Sequence, residues 1–325
     1  MIRNTLPPYM QLSSQLKGSI ACITFLIATS WFLALQCLAQ SSRTADHENT
    51  IPTMDSARAH YRITDSVFAG LSFKIKSSLP QEPEAYIPSH RMKSRKFDLL
   101  IHFHGESRAV MYAAKEFNAS MAAISINLGE NPTVYVEAFE DTSLFNDLLK
   151  RTVNSIEKKL KHPIQIRRIF LSGFGEGYGA LRQIISVKSN LPKLYAVLLL
   201  DGIHAKYVLD RGTPERDSID STELQPFVDL ARQAANPDSG IKFLITHSEI
   251  FPGSVASTTE CSDYIIRQIR VKRISTFRHG PLGMQQLSRA RLNHFEVLGF
   301  AGNSLPDHLD HLEALYHFLR ATVRL

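Results

Sequence analysis

The residues with most to offer chemically surround a run of four glycines. In Ile169-Phe-Leu-Ser-Gly-Phe-Gly-Glu-Gly-Tyr-Gly-Ala-Leu-Arg-Gln-Ile-Ile185, an apolar stretch gives way to Gly173, Gly175, Gly177 and Gly179 at alternate positions. Ala180, Leu181, Ile184 and Ile185 follow, spaced to put one helix face on a sheet. A strand turning into a helix through glycines serves two chemistries. The frame G-x-S-x-G presents a serine nucleophile to an acyl group on a sharp turn. Gly173 to Gly177 fits it except at the centre, where Gly175 replaces the serine. The frame G-x-G-x-x-G/A cradles a pyrophosphate. Gly175, Gly177 and Ala180 fit that one literally, and Asp201 stands about where a ribose-binding acid belongs. Three further clusters sit at the ends of apolar runs: His102-Phe-His-Gly105, His247-Ser-Glu249 and Asp307-His308.

Each of these residues also has a plain structural role open to it. His102 and His104 alternate on a strand, so only one can face a crevice. Asp201 could cap a turn, and Asp307 could be a helix N-cap. Glu249 could be surface, as could His308, His311 and His317 on the last helix. Ser172 belongs to a buried strand. Four histidines at strand ends raise the thought of a metal, but none has ligand spacing such as H-E-x-x-H, so no metal is expected. No cofactor is expected either, unless the dinucleotide reading holds.

The elements that must position these groups alternate. Strands are expected at Phe97–Gly105, Met121–Asn127, Ile169–Leu171, Leu194–Asp201, Ile241–His247 and Leu292–Phe300. Helices are expected at Ala109–Phe117, Asp141–Leu160, Ala180–Ile185, Leu224–Ala235, Thr258–Ile269 and Asp307–Val323. Residues 61–76 read as one or two edge strands, and 77–94, with Pro80, Pro83 and Pro88, as loop. The polar stretch 205–222 is the one candidate for a cap over the crevice. Nearly all-apolar middle strands imply a mostly parallel sheet covered on both faces.

The totals exclude little beyond that. The chain has 325 residues, 44% apolar and 21% charged, with a net charge of +6. There is no dense basic block, and the short cluster Arg91, Lys93, Arg95, Lys96 reads as a solvated loop, so no nucleic-acid partner is expected. Arg3 and Lys17 are the only charges in the first 39 residues, followed by the apolar run Ile20–Leu35 and Cys37-Leu-Ala39. This reads as a secretory signal peptide, residues 1–39, with the mature chain secreted or periplasmic and not stably inserted in a membrane. The alternative is an N-terminal membrane anchor, since the run approaches the ~20 residues that span a bilayer. Residues 40–96 then form a linker and edge strands, and 97–325 the main domain. After cleavage Cys261 is the only cysteine, so no intrachain disulfide forms; it reads as a small buried apolar residue.

The order His-Gly, glycine turn, late histidine resembles the α/β-hydrolase superfamily over roughly residues 97–323. It is most similar to secreted bacterial esterase-like members with an elbow G-F-S-x-G-Y-G-A. The resemblance implies an α/β-hydrolase-like fold with a mostly parallel sheet of about eight strands and helices on both faces. It implies His308 as general base, and Glu249 or Asp201 as the acid. It implies an oxyanion hole from His104, Gly105 and the N–H of Glu176, with a small-molecule ester or acyl ligand.

Gly175 then occupies the nucleophile position. Glycine has no side chain to attack an ester, so an acyl-enzyme cannot form there. The expectation is an exported protein of esterase descent with a degenerate site. The alternatives are an active hydrolase using a displaced nucleophile or an activated water, and a Rossmann-type dinucleotide binder. Glu176 is adjacent to Gly175, but its backbone position should turn its side chain away from the strand tip.

Overall fold

Strand β5 (Gln165–Phe174) lies at the middle of a ten-stranded sheet, between β3 (Lys96–Phe103) and β6 (Ala196–Leu200). The computed structural model describes residues 59–64, 68–117, 119–208 and 218–325, all within one unit spanning 51–325. The signal-peptide expectation for 1–39 lies outside the described residues. Among those residues no helix is long and apolar enough to cross a membrane.

The sheet runs β1 (Gly70–Lys74), β2 (Glu84–Pro88), β4 (Met121–Ile126), β3, β5, β6, β9 (Lys242–His247), β12 (Phe295–Phe300), β11 (Gln285–Leu292), β10 (Ile274–His279). From β4 to β12 every pairing is parallel, and both margins are antiparallel. The fold is α/β, a mostly parallel sheet with helices on both faces, with ten strands rather than about eight. A further two-stranded ladder, β7 (Tyr207–Val208) with β8 (Ser218–Ile219), stands apart from this sheet and brackets residues 209–217 of the expected cap, which lie outside the described residues.

Alternation along the strands builds two cores. On β3, Phe97, Leu99, Ile101 and Phe103 face one side and Leu100 the other. The first side packs against α2 (Pro132–Ala138), α3 (Leu144–Leu160), α4 (Tyr178–Ser186), α5 (Ser221–Ala234) and α6 (Thr258–Gln268). The second packs against α1 (Ser107–Glu116), α7 (Leu305–Glu313) and α8 (Leu315–Val323). Cys261 is fully buried in α6, as expected of a small apolar residue.

Several expectations are corrected here. β2 forms inside the stretch read as loop; its Ala85, Tyr86 and Ile87 bury between β1 and β4, and Pro88 ends it. The edge strands therefore belong to the same sheet as the main domain. Helix α2 was not expected, nor were β10 and β11. The last strand begins at Phe295, because Asn293 turns the chain at φ 49° into a tight hairpin from β11. The closing helix is two helices broken at Ala314. The N-cap of α7 is Ser304; Asp307 is its capping-box partner at the third position, its carboxylate accepting from the Ser304 hydroxyl at 2.6 Å.

Candidate active site

The crevice lies beyond the carboxyl ends of β3, β5, β6 and β9, where open α/β sheets place their ligands. Phe174 ends β5, Gly175 turns at φ 44°, and a short 3₁₀ turn, Gly175–Gly177, leads into α4. The glycines have distinct reasons. A Cβ on Gly177 would collide with the carbonyl oxygen of Phe103, so α4 can cross β3 only through a glycine. A Cβ on Gly179 would stand 2.6 Å from the carbonyl oxygen of Pro132. Gly177 and Gly179 are thus consumed in packing, and Ala180 is fully buried in the core.

His308, in the first turns of α7, aims its Nε2 at the elbow. A Cβ built on Gly175 would lie 3.3 Å from that nitrogen. The other ring nitrogen, Nδ1, is 2.8 Å from Oδ2 of Asp201, which follows β6 at φ 45°. The backbone N–H of Ser248 donates to Asp201 Oδ1 at 2.7 Å, and the Ser248 hydroxyl to Oδ2 at 2.6 Å. Burial alone would raise the Asp201 pKa, but the nearby His311 and the bonds from His308 and Ser248 hold it well below the usual carboxylate range. An ionised, fully bonded carboxylate fixes the tautomer of His308 with its proton on Nδ1. Nε2 is then left as a base facing Gly175.

Glu249, the other acid expected of the resemblance, is not at the dyad. Its side chain is exposed and accepts from the N–H of Gly302 at 3.1 Å, while its own N–H donates to the Gly302 carbonyl at 2.8 Å. It clamps the loop that leads to α7. Asp201 alone pairs with His308.

His102 and His104 divide as alternation requires. His102 is fully buried, its Nδ1 3.1 Å from the Ser172 hydroxyl and its Nε2 2.7 Å from the carbonyl of His104. Burial lowers its pKa to about 3, so it stays neutral and pins the end of β3. Ser172 is accordingly in the core, away from the crevice. His104 faces the crevice at φ 68°, with Nδ1 3.1 Å from the Tyr135 hydroxyl and Nε2 3.6 Å from a Glu130 carboxylate oxygen. The backbone N–H of His104 donates to the Ile126 carbonyl at 3.0 Å, so His104 gives its ring, not its N–H, to the site. The two oxyanion positions left are Gly105, at φ 99°, and Glu176, at the start of the helical turn where N–H groups point outward.

The Glu176 side chain is partly buried, and burial raises its pKa to about 7, with His308 pulling it down and Glu130 pushing it up.

Sequence reasoning missed Phe174, whose ring lies 4.2 Å from that of His308 and stacks on His104 at 6.1 Å. It also missed Tyr135, Glu130 and the bonding role of Ser248. Their positions just after β4 and β9 were the available signal. His311 was seen only as a surface candidate; it is fully buried, bonded through Nδ1 to the Thr246 hydroxyl at 2.7 Å, and its Nε2 has no hydrogen-bond partner.

No family model matches the chain, and no curated protein sequence is similar to it. Solved structures are similar at low identity. Est1E from Butyrivibrio proteoclasticus is 12% identical with a TM-score of 0.40, over 78% of this chain and 99% of that one. An S-formylglutathione hydrolase from Agrobacterium tumefaciens is 12% identical with a TM-score of 0.45, over 80% and 97%. A putative dienelactone hydrolase from Klebsiella pneumoniae subsp. pneumoniae is 13% identical with a TM-score of 0.42, over 80% and 100%. Likeness at this level is too remote to bear on substrate or chemistry.

Proposed function

We propose that this chain is an exported protein of esterase descent that holds a small ester or acyl ligand in the crevice without cleaving it. The observation that carries the reading is the vacant side-chain position at Gly175, 3.3 Å from a base that is otherwise fully equipped. His308 is oriented by Asp201, and Asp201 is held by Ser248. Without a hydroxyl at residue 175, no acyl-enzyme can form and the dyad has no proton to take from a nucleophile. The test is hydrolysis of a panel of short chromogenic esters by the mature protein. The expected result is no turnover above the buffer rate. Turnover that disappears in His308→Ala would overturn the reading.

A second reading rests on Glu176. Burial raises the pKa of this partly buried carboxyl to about 7, a value suited to general acid–base work near neutrality. In that case His308 and Glu176 activate a water against the ligand directly. Wild-type turnover that Glu176→Gln abolishes would select it over the binding reading.

A further inference from the structure

The opposite end of the sheet carries a second concave surface. Two adjoining clefts open beside the N-terminal end of β5, with volumes of about 350 and 150 Å³, and Arg168 lines both. Arg167 and Lys193 line the larger, Arg320 and Arg324 the smaller. Lys242 lies over the ring of Tyr195, which forms part of the larger wall, at 5.0 Å. No carboxylate lines either cleft among the described residues.

The partners of these six cations leave most of the charge unbalanced. Arg167 and Arg168 share one carboxylate, the buried Asp98, at 3.1 and 2.6 Å. Three of the others meet neutral oxygens: Arg320 the Tyr316 hydroxyl at 3.1 Å, Lys242 the Val323 carbonyl at 3.2 Å, and Lys193 the Asn146 and Asn190 amides at 2.5 and 3.3 Å. Folding needs none of this excess, since a single arginine would neutralise Asp98. Guanidinium groups lining a concave wall suit phosphate oxygens, which take two parallel N–H bonds from each fork. Arg168 precedes Gly175 by seven residues on one extended strand, so the clefts lie about 23 Å from the elbow. They form a separate site that owes nothing to the hydrolase-like crevice.

We infer that these joined clefts bind a small ligand carrying two or more linked phosphoryl groups. Concavity favours a discrete ligand over a flat bilayer. The small volume favours an oligophosphate over a nucleic-acid strand, which needs a continuous groove and free aromatic faces to stack on. Here Arg168 and Lys242 already cover Tyr195, at 4.7 and 5.0 Å.

The experiment is calorimetric titration of the mature protein with sodium tripolyphosphate. Inorganic phosphate, phosphatidylglycerol vesicles and a single-stranded oligonucleotide are run as separate arms. Tripolyphosphate is expected to bind more tightly than phosphate and to weaken as salt rises. Arg320→Gln combined with Arg324→Gln should cost at least about tenfold in affinity, the loss of a charge-assisted bond or more. Lys193→Gln, on the far wall, should also weaken binding and serves alone if the double variant does not fold. Absence of tripolyphosphate binding, equal affinity in the variants, or preference for vesicles or oligonucleotide would each overturn the assignment.

Discussion

Gly175→Ser tests the reading of the crevice most directly. The residue sits at φ 44°, in the left-handed region, where a side chain costs about 1–2 kcal/mol. A new Cβ would stand 3.3 Å from His308 Nε2 and 3.4 Å from His104 Cδ2, tight but against the ends of two rings that can shift by tenths of an ångström. For a domain of this size the melting temperature should fall by roughly 2–8 °C. In return, a hydroxyl 1.4 Å beyond that Cβ comes within hydrogen-bond reach of Nε2 in one rotamer. Removing the serine from an intact triad costs about 10⁶ in turnover. Recovering half of that on a logarithmic scale, about 10³-fold or ~4 kcal/mol of barrier, is the expected gain. The assay is release of p-nitrophenol from short-chain esters, with fluorophosphonate labelling of residue 175 read by mass spectrometry. A folded variant that neither hydrolyses nor labels would refute the claim that His308 and the elbow are in register.

Three further outcomes follow from the same geometry. In the Gly175→Ser background, Asp201→Asn should erase essentially all of the ~10³-fold gain, because an amide leaves His308 in the wrong tautomer, and melting should show a loss of about 2–4 kcal/mol from the Ser248 and His308 bonds. Glu176 has a folded pKa raised from 4.5 to about 7, so its contribution to stability is fully present below about pH 4.5 and is lost as pH rises through 7. Melting curves of Glu176→Gln should therefore gain on wild type between pH 5 and 8.5, by up to about 3 kcal/mol; parallel curves would contradict the burial of this carboxyl. Gly177→Ala should cost about 3 kcal/mol, seen as a large drop in the denaturation midpoint, since the new methyl meets the Phe103 carbonyl and neither backbone can yield.

What the sequence disclosed depended on burial. The central strands were legible because β3, β5, β6 and β9 are apolar runs covered on both faces. β10 and β11 were not, because all their residues but Ala290 are exposed or half-buried and show no alternation. β2 was hidden by the prolines around it, and α2 by its length, with Tyr135 its single buried residue. At the site, the glycine turn and the division between His102 and His104 could be read from spacing, and His308 from the resemblance alone. The choice between Asp201 and Glu249 could not. Both close apolar strands, and only burial with the two Ser248 bonds distinguishes the carboxylate that serves the imidazole.

The outermost strand bears on how copies of this chain behave together. β10 ends the sheet with unpaired backbone groups, and it exposes Ile274 and Phe277, the latter 81% accessible. Such an edge invites a second sheet to add on and propagate into an aggregate. Its register with β11 slips between Ser275 and Arg278, one extra residue that kinks the strand at Thr276 and Phe277. The kink divides the edge into two pieces of about two residues each, and Arg278 and His279 place cationic or polar groups beside the second. Neither piece is long enough to template a neighbour, so a single bulge makes an exposed apolar margin a poor template for a second sheet.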